Sequence, residues 1–157
     1  MSLRDLDLAG TTTSTVELAP ALRIGIGDVT GALDYKVDGA LHLTARETDG
    51  PFEWAEISIP LHDPAWLLCR HIHVQMRASA DIETEIMPAL RLISADQFYD
   101  LFPSSALPVG PTPAQRGCVF RLTPRQLDDV NRVDLQLFLA GREHSLTVTD
   151  LSATGTC

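Results

Sequence analysis

Apolar and polar residues alternate one by one along most of this chain, and that period of two is the strongest constraint on its folding. In IHVQMRA, Ile72, Val74, Met76 and Ala78 fall on one side, while His71, His73, Gln75 and Arg77 fall on the other. NRVDLQLFLAG sets Val133, Leu135, Leu137 and Leu139 against Asp134, Gln136 and Phe138. HSLTVTDLSATG puts Leu146 and Val148 in phase, then Leu151 after a change of phase. Successive side chains of a strand point to opposite faces, so one-sided alternation marks an antiparallel strand buried on one face. Weaker versions run through STVELAP, ALRIGIGD, GALDYKV, ALHLTAR, FEWAEISI, IMPALRLI and GCVFRL. Together they predict an all-β sandwich of about ten mainly antiparallel strands.

Turn chemistry falls between these runs. Asp38-Gly39 separates two of them, a hairpin signal because such a turn needs positive φ. TDGP at residues 48–51 is a second turn. Two short helical turns are expected, at residues 64–68 and 124–129. Asp63 precedes Pro64 as a cap, and Thr123, Pro124 and Gln126 form a capping-box pattern. Residues 94–117 carry Pro103, Pro108, Pro111 and Pro113 and read as a long irregular excursion. No repeat or second domain is visible, so 1–157 reads as a single domain, long enough to bury a core of its own.

Charge narrows the partners. The formal net charge of −9 argues against nucleic acid and anionic membrane, which need clustered Lys and Arg. No apolar run approaches the roughly 20 residues that span a bilayer. MSLRDLDLAG has no apolar core of a secretory signal, which makes the cytoplasm the default location and export from a longer precursor the alternative. Cys69, Cys118 and Cys157 are an odd count without finger spacing, read as buried small hydrophobes plus one loose tail cysteine.

Two longer segments carry a resemblance. FRLTPRQLDDVNRVDLQLFLAGREHSLTVTDLSATG runs strand, short helical turn, strand with alternating leucines, and a final strand holding the step Asp150-Leu151. YKVDGALHLTARETDGPFEWAEISIPL runs hairpin, then a strand carrying Trp54. Together they cover somewhat under half the chain, and they resemble the closing and early halves of jelly-roll domains of the galactose-binding-like and carbohydrate-binding-module type. The resemblance implies a jelly-roll sandwich acting as a non-catalytic module for a carbohydrate or other small polar ligand. In such domains aromatic rings stack on pyranose faces while Arg, Gln, Asp, Glu and His bond the hydroxyls.

With Ala55, Ile57 and Ile59 inward, Trp54, Glu56 and Ser58 point outward. The next alternating run presents His71, His73, Gln75 and Arg77, and Arg91 joins them if Leu90 and Leu92 are a core pair. The expected ligand surface is therefore Trp54, Glu56, His73, Gln75, Arg77 and Arg91. The bland alternative is an ordinary wet sheet face. The alternative function is a structural or protein-interaction domain, self-associating or accessory to a larger enzyme. In DQFYDLFP, Phe98, Tyr99 and Phe102 read first as a plug sealing the sandwich and second as a platform over a cleft. Trp66, beside Leu67 and Leu68, reads as core.

His71 and His73 invite a metal, with Glu56 as the third ligand on an adjacent strand. This makes a cupin-like metal-dependent enzyme the third reading. Arg77 stands where a cupin would want a carboxylate, so no metal is assigned. The jelly-roll resemblance adds a structural calcium as an expectation, with oxygen ligands in Glu17, Asp28 and Asp150. There is no Gly-x-Ser-x-Gly elbow, and no helix pattern follows RIGIGD to make a phosphate loop. No catalytic residue is assigned, and a non-enzymatic role is expected.

Overall fold

The structure is a computed structural model that describes residues 3, 6–27 and 30–157. Strands β1 (Asp7–Thr12), β2 (Thr15–Ala19), β3 (Leu22–Gly27), β4 (Gly31–Asp38), β5 (Leu41–Glu47) and β6 (Trp54–Leu61) come first. After them run β7 (His71–Ala80), β8 (Thr84–Ile93), β9 (Phe98–Leu101), β10 (Leu107–Val109), β11 (Ala114–Arg121), β12 (Arg132–Leu139) and β13 (His144–Thr156). All ten alternating segments are strands. The three additional ones, β1, β9 and β10, lack one-sided alternation because their side chains are largely exposed or their span is only a few residues.

Two antiparallel sheets pack face to face. One has the order β1-β4-β5-β13-β7-β11, the other β10-β8-β12-β6-β3-β2, and β9 also pairs with β8. The excursion at 94–117 is thus irregular only in part: β9 and β10 lie within it and pair with opposite ends of β8 along one edge. Phase within β13 changes at a bulge between Val148 and Asp150, which turns Leu151 back toward the core.

Alternation becomes burial. Ile72, Val74 and Met76 from one sheet and Ile57, Leu90, Leu135 and Leu137 from the other are all within 1% of full burial. Each such side chain contributes about 1.5–3 kcal/mol by leaving water. Trp66 is half-buried and packs against this core.

Local signals hold where their chemistry is short-range. Gly39 adopts φ +91° in the β4–β5 turn, where Asp38 N–H donates to Ala40 O at 3.1 Å. The helical turns are 3₁₀ segments at Pro64–Leu68 and Pro124–Leu127. Asp63 Oδ1 accepts from Ala65 N–H at 2.9 Å, and Gln126 Oε1 accepts from Thr123 N–H at 2.8 Å. The second turn ends earlier than the sequence pattern suggests, with Asp129 already at φ 64°.

Candidate ligand-binding cleft

The outer face of the seven-stranded sheet gathers side chains that the linear sequence keeps far apart. Strand register sets them in rows. Glu56 on β6 lies opposite Phe138 on β12 and Gly25 on β3. Ser58 lies between Gln136 and Arg23. In the next row Asp134 is opposite Arg91, which is opposite Asp100 on β9. These rows line a cavity of about 460 Å³ whose wall includes Thr15, Arg23, Glu56, Arg91, Phe98 and Arg132.

One end of the face is aromatic. A Cβ at Gly27 would overlap Cε2 and Nε1 of Trp54, so the indole lies directly over the glycine backbone of β3. Trp54 remains 36% exposed. Its ring meets Phe138 edge-on at 6.5 Å, and Phe138 lies 6.3 Å from Phe102. Phe98, Tyr99 and Phe102 are all more than half exposed. They therefore do not plug the sandwich. The backbone of β9 extends the sheet instead, and that places Phe98 and Phe102 on the cleft side with Arg91.

The other end is ionic and well braced. Arg91 donates from Nε and Nη2 to the two oxygens of Asp100, both at 2.8 Å, while its guanidinium carbon stands 4.2 Å from the Phe98 ring centre. Asp134 is buried and shared by two arginines: Arg23 reaches it at 3.3 Å and Arg132 at 3.0 Å. Gln136 Nε2 donates to Ser58 Oγ at 2.9 Å beneath them. A bidentate fork holds Arg91 in one rotamer, so the donor it presents is pre-oriented. Glu56 makes no hydrogen bond or ion pair among those described for the face. Burial pushes its carboxyl above the ordinary glutamate value, with the charges of Arg91 and Arg23 opposing that rise.

The expected ligand surface divides between the two sheets. Trp54, Glu56 and Arg91 share the outer face of the seven-stranded sheet, and Glu56 and Arg91 line its cavity. His73, Gln75 and Arg77 are on β7, in the other sheet, and face the opposite side of the sandwich. Consecutive in sequence, β6 and β7 are not neighbours in space, because the 3₁₀ turn between them carries the chain across the core. His73 is instead flanked by Val119 and Thr154, and Gln75 accepts from Gln115 Nε2 at 3.4 Å. Phe98 lines the cavity, in keeping with its second reading as part of a platform over a cleft, whereas Arg23, Arg132, Asp134 and Gln136 in the lining and Asp100 and Phe138 on the same face were not expected there. Phe138 carried a signal, as a large ring on the polar side of an alternating strand.

The same division separates the metal candidates. His71 and His73 lie on one sheet and Glu56 on the other, so the three cannot meet at one ion. His144 is buried, with Nδ1 2.7 Å from Arg142 O. Among the described residues no group of three His, Cys, Asp or Glu side chains is arranged to hold a metal. Of the calcium ligands, Asp28 lies outside the described residues. Glu17 pairs across from Arg23 on one sheet and Asp150 from Arg77 on the other, so these two are not brought together.

No protein-family model matches the chain, and no curated protein matches it significantly. Solved structures do resemble it. A carbohydrate-binding module of family 4 is 14% identical, with a TM-score of 0.63 over 85% of this chain and 87% of that one. The CBM22-1 xylan-binding domain of Paenibacillus barcinonensis Xyn10C is 9% identical, with a TM-score of 0.57 over 98% and 90%. The family 11 xylanase of Neocallimastix patriciarum is 8% identical, with a TM-score of 0.55 over 95% and 100%. At these identities the likeness concerns the fold, which hosts binding modules and enzymes alike. In fold, this chain is a jelly-roll β-sandwich of the kind found in carbohydrate-binding modules.

Proposed function

We propose that the domain is a non-catalytic carbohydrate-binding module and that its ligand occupies the cleft on the seven-stranded sheet. The observation that carries this reading is the indole of Trp54, laid over Gly27 and partly open to solvent on the same sheet face as a cavity lined by hydrogen-bonding side chains. A flat aromatic ring beside fixed polar groups is the combination a pyranose needs, because its C–H face is apolar and its rim is hydroxyl. Trp54 and Phe138 supply the stacking end, and Arg91, Arg23, Glu56 and Asp134 supply the hydroxyl-bonding end. The fold supports the reading, since a carbohydrate-binding module of family 4 and a xylan-binding domain share it.

A second reading rests on a different observation. Phe98 and Tyr99 on the short edge strand β9, and Phe102 just after it, expose large apolar surface, which suits a protein contact at the same rim. Calorimetric titration against oligosaccharides separates the two. Binding that disappears in Trp54→Ala supports the module; no heat with any sugar, together with concentration-dependent self-association lost in Phe98→Ser, supports the interaction domain.

A further inference from the structure

We propose that Cys69 and Cys157 are a dithiol built to close into a disulfide, clamping the last strand to the start of β7. The geometry comes from the strand ladder and from one close approach of the Cys69 sulfur to β13. Arg70 N–H donates to Thr156 O at 2.7 Å, and His71 is in register with Thr156, so the two chain segments run side by side up to this point. A Cβ at Gly155 would overlap the Cys69 sulfur. Cys69 Sγ therefore rests on the same side of β13 as Gly155, and Cys157, two residues on, projects to that side as well. Cys69 Sγ also donates to Ala65 O at 3.5 Å.

The environments of the two sulfurs set an order of events. Cys157 is exposed and Cys69 is buried, with burial and then the neighbouring Cys157 pushing the Cys69 thiol above its ordinary value. Cys157 thiolate attacks oxidised glutathione, forming a mixed disulfide and releasing one glutathione thiol. Cys69, losing its proton, then attacks the Cys157 sulfur and expels the second. One glutathione disulfide takes up two electrons and becomes two thiols, and the protein loses two hydrogens. Cys118 takes no part, because it lies on β11 and pairs across to Val74.

This bond closes a loop of more than half the chain and ties down β13, the strand between β5 and β7. Restricting so long a loop in the unfolded state is expected to raise the melting temperature by roughly 5–10 °C. The test is to incubate the reduced full chain with oxidised glutathione, then count thiols, map cross-linked peptides and record melting. The expected result is a fall from three thiols to one, a peptide joining Cys69 to Cys157, and a Tm rise that dithiothreitol reverses. Cys118→Ser should oxidise and stabilise in the same way, and Cys157→Ser should form no cross-link. Three thiols persisting, a lasting glutathione adduct on Cys157, or a cross-link to Cys118 would each overturn the proposal.

Discussion

The indole of Trp54 lies across the backbone of Gly27, where any side chain would collide with it. Two consequences follow from this one contact. The ring is seated against β3 while remaining partly exposed, and the second glycine of RIGIG acquires a role that its own strand does not explain. Gly27→Val should lift the ring from its seat while leaving the core untouched, and Trp54→Ala should remove it. Each is expected to weaken oligosaccharide binding at least about tenfold, or about 1.4 kcal/mol, measured by titration calorimetry, with the melting temperature recorded to confirm folding.

The two faces of the sandwich make opposite predictions. Arg91→Ala removes a braced donor from the cleft and should weaken binding severalfold or more. The combined change His73→Ala, Gln75→Ala, Arg77→Ala lies on the other sheet and should leave affinity within about twofold, since sites this far apart act independently. A reversed pattern in affinity electrophoresis would move the site to the six-stranded sheet.

Glu56 gives the domain a pH dependence of definite sign. Its folded value is raised from 4.5 by burial, so the folded state holds the proton more tightly than the unfolded chain does. The resulting stability is complete below the unfolded value and is lost as pH rises through the folded one. Melting curves between about pH 4 and 7 should therefore show a component that falls with pH in the native protein and is absent in Glu56→Gln. At neutral pH that variant should be at least as stable as the native chain.

Asp134 is a structural carboxylate as well as a cleft residue. Buried and shared by Arg23 and Arg132, it cannot be removed without leaving both guanidiniums short of a partner. The arginines are themselves one-third to nearly one-half exposed, so water offsets part of the loss. Asp134→Ala should destabilise by about 1–3 kcal/mol in urea denaturation, whereas Arg132→Ala should cost less than about 1 kcal/mol.

The alternating pattern by itself determined the all-β class, the ten strands that form most of the two sheets, and the inward or outward sense of each side chain along them. Ile72, Val74 and Met76 could be assigned to the core, and Trp54, Glu56 and Arg91 to a wet face, because that choice depends only on the pleat within one strand. Caps and turns were equally legible, since Asp63, Gln126 and Gly39 act on atoms a few bonds away. Which wet face a residue joins was decided by the tertiary structure. β6 and β7 follow one another in sequence yet belong to different sheets, and no local interaction encodes that crossing; it arises from burying both apolar faces at once. For that reason the sequence placed His73 on the face of Trp54, and only the packing brought Phe138 beside the indole and Arg23 and Asp134 onto the same sheet face instead.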